Sequence, residues 1–210
     1  MTNPVTLVIV SGEGMCAAEC VHPFFGDERK DKIARMKAEN GKKQLALAEL
    51  AVLAAMKLKF KKCYKDAYRY GENQKPCAAD EENGYLSIAH AGECGACIWA
   101  DTPVGTDMEE KHRDISRIYE RIRSENDSDT CSAVSLWCAK ESYVKLTGEG
   151  LSKPFCEISV RKDSVESGEN RFFLAEGEER GYVWAVAMKE KRDVSVLFIS
   201  VREALEIINA

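Results

Sequence analysis

Two short segments of the chain carry charged residues at spacings that suit chemistry. In VGTDMEE, Asp107 and Glu109 lie two residues apart, and in LWCAKESYVKLTGEGL, Glu141 and Lys145 lie four residues apart. Side chains two apart on a strand share one face of a sheet, and side chains four apart on a helix are neighbours. The first pair predicts two carboxylates on one face. The second predicts a carboxylate and an ammonium group one helical turn apart.

Two carboxylates on one face repel each other, so this arrangement favours a bound cation. Mg²⁺ fits best, because it is a hard ion that takes one or two protein carboxylates and completes its shell with water and substrate phosphate oxygens. Glu141 would supply a third carboxylate, and Lys145 would balance phosphate charge. Each pair also has a purely structural explanation: Asp107 and Glu109 as a solvated strand end, Glu141 and Lys145 as a common surface pair.

The elements that must position these residues alternate between strands and helices, which predicts a mixed α/β (α+β) fold. Strands are predicted for residues 6–10, YLSIAHAG, ACIWA, VGTDMEE, FCEISV, RFFLAEG, YVWAVAM and VSVLFISV. Helices are predicted for residues 27–39, KKQLALAELAVLAAMKLKF, HRDISRIYERIRS, the segment that carries Glu141, and REALEIINA. The Asn40-Gly41 pair is a typical stop signal for the first helix. The Ala- and Leu-rich helix is apolar on most of its circumference and is expected to be buried.

Composition excludes several classes of protein. The chain has 210 residues, of which 45% are hydrophobic and 31% charged, and its net charge is -5. These values are typical of a soluble globular protein, and the acidic balance argues against binding nucleic acid. The apolar run from Val5 to Val10 is short, β-branched and not preceded by a basic region, so it predicts a strand and not a signal peptide. We expect a cytoplasmic protein that does not enter a membrane.

The nine cysteines predict reduced thiols and not a disulfide framework. The single CxxC motif, Cys94 to Cys97, lacks the second ligand pair that a closed zinc site needs. It also lies in a predicted strand, where positions three apart point to opposite faces of the sheet. We therefore expect no metal or redox role for this motif.

Taken together, the charged segments resemble the signature of the 4′-phosphopantetheinyl transferases, specifically the surfactin-type group. That signature is a G-x-D-x-E strand followed by W-[SC]-x-K-E-[SA]-x-x-K. It stands here as Gly105, Asp107, Glu109, Trp137, Cys138, Lys140, Glu141, Ser142 and Lys145, and a G-x-G-L segment follows. Upstream, SIAHAG is similar to the family's N-[IL]-S-H-S-G segment, and Gln74-Lys75-Pro76 is similar to its G-K-P element. The similarity covers roughly residues 27–160.

The resemblance implies a fold of two similar α/β halves related by a pseudo-twofold axis, with the active site in the cleft between them. The halves would be residues 1–102, on the adenine and 3′-phosphate side, and residues 103–210, on the metal and pyrophosphate side. Members of the family transfer the phosphopantetheine arm of coenzyme A, with Mg²⁺, to a serine of an acyl or peptidyl carrier protein. Adenosine 3′,5′-bisphosphate is released. A monomer is expected, because one chain supplies both halves.

By the same resemblance, each candidate residue has an expected role. Asp107, Glu109 and Glu141 would bind the metal, and Lys145 would hold the pyrophosphate together with it. Glu141 is favoured as the acceptor of the serine proton, with Glu109 and a metal-bound water as alternatives. The remaining contacts to coenzyme A would come from Lys75 and Pro76 at the adenine, His90 at the 3′-phosphate, and Lys32, with Arg29 as a further candidate.

Two positions depart from the family pattern. Ala89 replaces a usual serine, and Gln44 stands where an arginine is common; both would normally touch the 3′-phosphate. Loss of a charge-assisted hydrogen bond costs about 1.5–3 kcal/mol, so coenzyme A binding is expected to weaken unless Lys42 or Lys43 compensates. The alternative is a relaxed selectivity between coenzyme A and its dephospho form. Two alternatives stay open: a catalytically impaired homologue that binds coenzyme A or a carrier protein, and an unrelated Mg²⁺-dependent enzyme acting on another nucleotide diphosphate.

Overall fold

Two large β-sheets, a two-stranded hairpin and several helices make up the structure, a computed structural model that describes residues 3–63, 65–79, 84–128 and 131–210. The expected mixed α+β fold is confirmed. The strands are β1 Val5–Ser11, β2 Tyr68–Tyr70, β3 Pro76–Ala78, β4 Tyr85–Ala91, β5 Cys94–Ala100, β6 Val104–Glu110, β7 Ser159–Val160, β8 Ser164–Ser167, β9 Asn170–Glu179, β10 Tyr182–Met188 and β11 Val194–Ser200. The helices are α1 Asp27–Arg35, α2 Glu39–Phe60, α3 Ser116–Ile122, α4 Ala133–Thr147 and α5 Val201–Asn209.

The two larger sheets differ in strand pairing. The first sheet has the order β11-β1-β5-β4, in which β1 and β11 are parallel and the other pairs antiparallel. The second sheet has the order β6-β10-β9-β8-β7 and is antiparallel throughout. The last strand, β11, therefore pairs with the first strand, β1, although β11 lies in residues 103–210, the expected second half of the chain. The division of the chain after residue 102, and the pseudo-twofold relation, stay predictions.

The layers of the fold follow from which face each strand residue presents. Cys97 points into the core that β5 shares with α2, whereas Cys94 points into the core between the two sheets, as expected for positions three apart on a strand. Between the sheets, Met108 and Trp184 of the second sheet meet apolar residues of the first. Helix α4 covers the other face of the second sheet. No helix in the described ranges is long and apolar enough to cross a membrane.

Some predicted boundaries are wrong, for identifiable reasons. The helix predicted for residues 27–39 ends at Arg35, and α2 already begins at Glu39, so Asn40 and Gly41 lie in its first turn. A Cβ on Gly41 would lie 2.6 Å from Cε of Met36, so the glycine makes room for that side chain and does not end a helix. In FCEISV, Phe155–Glu157 forms a 3-10 turn, and only Ser159–Val160 pairs in a sheet.

Lys140 joins α4 to the elements beside it. Its side chain has no solvent exposure, and its ammonium group donates to Oδ2 of Asp127 at 2.8 Å. It also donates to the carbonyl oxygens of Ile122 at 2.6 Å and Phe155 at 3.1 Å. The buried charge is thus satisfied by three acceptors, as the cost of burying an ammonium group requires. This network fixes the end of α3 and the turn at Phe155 against α4.

We predict that Lys140→Met lowers the free energy of unfolding by about 3–5 kcal/mol, because it leaves the buried Asp127 carboxylate without its cation. Urea denaturation followed by circular dichroism measures the change. The control is Arg202→Ala, which removes a cation with a side chain that is 88% exposed, and it should stay within about 0.5 kcal/mol of wild type. Equal losses of unfolding free energy in Lys140→Met and Arg202→Ala would show that the buried contacts of Lys140 stabilise the fold no more than an exposed ion pair does.

Candidate active site

A cleft of about 660 Å³ brings together residues from both sides of the molecule. Helices α1 and α2, the β2–β3 hairpin and β4 line one side, and α4 with the residues that follow it lines the other. Of the residues predicted from the sequence, those that line this cleft are Lys32, Lys75, Pro76, His90, Glu141 and Lys145. The structure thus places side chains from distant segments around one cavity.

The ends of α4 and its contact with β6 set the positions of Glu141 and Lys145. The hydroxyl group of Ser132 accepts the backbone N–H of Ser135 at the start of the helix, and Gly148 ends it in a left-handed conformation with φ +78°. A Cβ on Gly105 would lie 2.0 Å from the carbonyl oxygen of Ser142. The absence of a side chain at Gly105 therefore lets the helix lie directly against the strand.

Asp107 and Lys145 form an ion pair that links β6 to α4. Nζ of Lys145 lies 2.7 Å from Oδ1 of Asp107, and the residue Asp107 is only 7% exposed. Burial, followed by the negative charge of Asp107, raises the pKa of Glu141 to about 7, although the positive charges of Lys145 and Arg113 oppose the rise. Glu141 can therefore gain or lose a proton near neutral pH, which a proton acceptor needs.

Glu109 is directed to a different partner. Its Oε2 accepts a hydrogen bond from the guanidinium group of Arg113, and its Oε1 accepts the backbone N–H of Glu110 at 2.9 Å. The guanidinium group lies over the ring of Trp137, 5.5 Å from its centroid. Glu109 is not among the residues that line the cleft.

The donor set fits Mg²⁺ in its chemistry. Asp107 and Glu109 share the face of β6 that packs on α4, and Glu141 lies on α4, so three hard carboxylate ligands occupy facing elements. Within the described part of the chain, no three His, Cys, Asp or Glu side chains are grouped so that they could hold a metal ion. Both strand carboxylates are instead held by cations, and Mg²⁺ would compete with those cations.

The opposite side of the cleft carries three nitrogen groups. Burial, helped by the positive charge of Lys145, lowers the pKa of His90, so its imidazole is neutral at pH 7. The ammonium group of Lys32 lies 4.8 Å from the centroid of the Tyr70 ring. The ammonium group of Lys75 donates to the carbonyl oxygen of Leu146 at 2.5 Å, which joins this side of the cleft to the end of α4.

Sequence reasoning missed a buried cluster at the floor of the cleft. Arg29 forms a 3.1 Å ion pair with Glu49, and its guanidinium group also donates to the hydroxyl groups of Tyr68 and Tyr70. Arg29 was a candidate for a phosphate contact, but its charge is matched by Glu49. The sequence contained two signals of this cluster. Glu49 is an acid among the apolar residues of α2, and Tyr68 and Tyr70 lie two apart, as on one face of a strand.

The two departures from the family pattern have different structural consequences. Ala89 packs in the core between the sheets, on the opposite face of β4 from His90. A serine at this position would therefore not place its hydroxyl group in the cleft. Gln44 does not line the cleft, because its amide group donates to the carbonyl oxygen of Gly92 at 3.1 Å.

The cations expected to compensate for Gln44 point elsewhere. Lys43 is buried and lies 2.8 Å from a carboxylate oxygen of Glu93. Lys42 pairs with Glu39 at 3.7 Å on the same helix. Neither lysine lines the cleft, so the expectation that they replace the missing arginine is not supported.

Comparison with known proteins identifies similar chains. A model of the 4′-phosphopantetheinyl transferase superfamily matches residues 103–196. The 4′-phosphopantetheinyl transferase ffp of Bacillus subtilis is 29% identical over 185 residues, which cover 78% of this chain and 81% of that protein. The 4′-phosphopantetheinyl transferase Sfp of Bacillus subtilis (strain 168) is 27% identical over 150 residues, which cover 66% of each chain. The match therefore spans slightly less than two thirds of the length of Sfp.

We predict that Gly105→Ala lowers the free energy of unfolding by about 1–3 kcal/mol, because the added methyl group forces α4 away from β6. Urea denaturation measures the loss. Gly41→Ala is the matched control, since its new methyl group meets only the flexible end of Met36; it should be neutral or stabilising by up to about 1 kcal/mol. A Gly105→Ala protein as stable as wild type would show that α4 does not depend on this contact.

Proposed function

Because this chain belongs to the 4′-phosphopantetheinyl transferase superfamily, we propose that it transfers 4′-phosphopantetheine from coenzyme A to a serine of an acyl or peptidyl carrier protein. The observation that supports this most is the cleft, which is lined by six of the side chains that the resemblance assigned: Lys32, Lys75, Pro76, His90, Glu141 and Lys145. The resemblance assigned these six residues to one ligand before their positions were known, and all six line the same cavity.

In the proposed reaction, the serine oxygen of the carrier attacks the phosphorus that bears the pantetheine arm. The new O–P bond forms as the phosphoanhydride P–O bond breaks, and adenosine 3′,5′-bisphosphate leaves. Glu141 lines the cleft and accepts the serine proton. Lys145 lies beside Glu141 on the cleft wall and stabilises the negative charge that develops on the leaving phosphate.

Asp107, Glu109 and Glu141 are the residues that would hold Mg²⁺. When bound, Mg²⁺ supplies charge neutralisation at the pyrophosphate that the protein alone provides only in part. In the structure, Lys145 keeps Asp107 in place, and Arg113 keeps Glu109 in place. The protein therefore holds both strand carboxylates near α4 by means of its own cations.

For coenzyme A itself, we propose that Lys75 and Pro76 contact the adenine and that His90 and Lys32 contact the 3′-phosphate. All four line the cleft on the side opposite Glu141 and Lys145. Neutral His90 contributes a hydrogen bond, so Lys32 provides the charge for the 3′-phosphate. We further propose that the protein acts as a monomer in the cytoplasm.

Intact mass spectrometry of an unmodified carrier protein tests the proposal. We expect the carrier to gain the mass of one phosphopantetheine after incubation with this protein, Mg²⁺ and coenzyme A, and to gain nothing when a chelator is added. Acyl and peptidyl carriers are tested side by side. If no carrier type is modified while coenzyme A still binds, the chain is a binding homologue and the proposal is wrong.

We predict that Glu141→Gln lowers the transfer rate by about 10²- to 10⁴-fold, because an amide cannot accept the serine proton and is a weaker metal ligand than a carboxylate. Thermal unfolding and coenzyme A affinity should stay close to wild type. Glu149→Gln makes the same chemical change at another residue of the cleft, and its rate should fall by less than about tenfold. Retention of most activity by Glu141→Gln would remove Glu141 from the mechanism.

A further inference from the structure

The position of Arg113 gives it a role that the family signature does not assign. We propose that Arg113 is a positioning residue of the metal site, whose guanidinium group holds Glu109 until Mg²⁺ binds and competes with Mg²⁺ for that carboxylate. The inference rests on the proposed function, because it takes Asp107, Glu109 and Glu141 as the metal ligands.

Two contacts hold Arg113 in place. The turn after β6, closed by the Arg113 N–H bond to the Glu110 carbonyl oxygen at 3.0 Å, brings the guanidinium group back over Glu109. The ring of Trp137 lies beneath it at 5.5 Å and packs in turn on Phe155 at 5.3 Å. The guanidinium group therefore rests on α4 one helical turn before Glu141, and its positive charge also reaches Glu141.

Exposure explains why this ion pair can open when a metal ion arrives. The side chain of Glu109 is 12% exposed, so a nearby cation stabilises its carboxylate. The side chain of Arg113 is 43% exposed, so its guanidinium group can move into water at low cost. A guanidinium group and Mg²⁺ both bind carboxylate oxygens, so Arg113 and a metal ion would compete for the carboxylate of Glu109.

An ordinary surface ion pair predicts a different outcome. Removing the arginine of such a pair changes stability slightly and leaves metal affinity unchanged. If Arg113 competes with the metal for Glu109, its removal raises metal affinity, and the gain is clearly larger when Glu109 is present to bind the metal. Removing Arg113 from the wild-type protein and from a Glu109→Gln protein, and measuring metal affinity in each, therefore separates a competitor of the metal from an ordinary surface ion pair.

The experiment measures Mn²⁺ binding by electron paramagnetic resonance, with Mg²⁺ as the competing ion, because both ions prefer oxygen ligands. We expect Arg113→Met to bind both ions about two- to fivefold more tightly than wild type. Arg113→Lys keeps the charge and should restore most of the wild-type affinity. Lys111→Met is the control, because that ammonium group pairs with Glu178 at 2.8 Å, outside the metal set, and its affinity should not change.

The same Arg113→Met change in a Glu109→Gln protein should raise metal affinity clearly less, because only the effect of the Arg113 charge on Glu141 remains. An equal gain in that background, or wild-type or weaker affinity in Arg113→Met itself, would overturn the inference. Failure of the proposed function looks different. In that case the wild-type protein would transfer no phosphopantetheine or bind neither ion, whereas an active wild type with an unaltered Arg113→Met variant refutes only the role of Arg113.

Discussion

The close packing of α4 on β6 is the contact on which the site depends. Gly105 gives the strand no side chain at the point where the backbone of Ser142 and Leu146 crosses it. That contact sets the separation between the carboxylates of the strand and the charged groups of the helix. The cap at Ser132 and the end at Gly148 fix the length of the helix, so Glu141 and Lys145 keep their places relative to Asp107.

Four cations that hold carboxylates on α4 or around the cleft differ in how far they are exposed. The structural cations are buried: the side chain of Lys140 is 0% exposed and that of Arg29 is 9% exposed. At the site, the side chain of Lys145 is 29% exposed and that of Arg113 is 43% exposed. Opening a fully buried pair leaves an uncompensated charge, whereas a partly exposed cation can be exchanged for a ligand or metal. The pairs of Lys145 and Arg113 can therefore open more easily than those of Lys140 and Arg29.

Local patterns in the sequence were sufficient for α4, β6 and most strands, because alternation and helix-end residues are encoded close to where they act. The G-x-D-x-E spacing alone placed Asp107 and Glu109 on one face. The contacts of Arg113 and Arg29 were not predicted, since a partner for a charged side chain depends on tertiary packing. Pairing of β1 with β11 was missed for the same reason: strands from the two ends of the chain leave no local signal of their contact.

The connections between the sheets limit how the cleft can move. Segments 101–103 and 189–193 both cross from one sheet to the other, and they are joined where the N–H of Lys189 donates to the carbonyl oxygen of Pro103 at 3.3 Å. Arg192 reinforces the junction, because it contacts Asp101 at 3.4 Å. Two short and mutually bound crossings resist rotation of one sheet against the other. The apolar core between the sheets adds to this connection, so adjustment to a ligand in the cleft falls to side chains such as that of Lys145, which is 29% exposed.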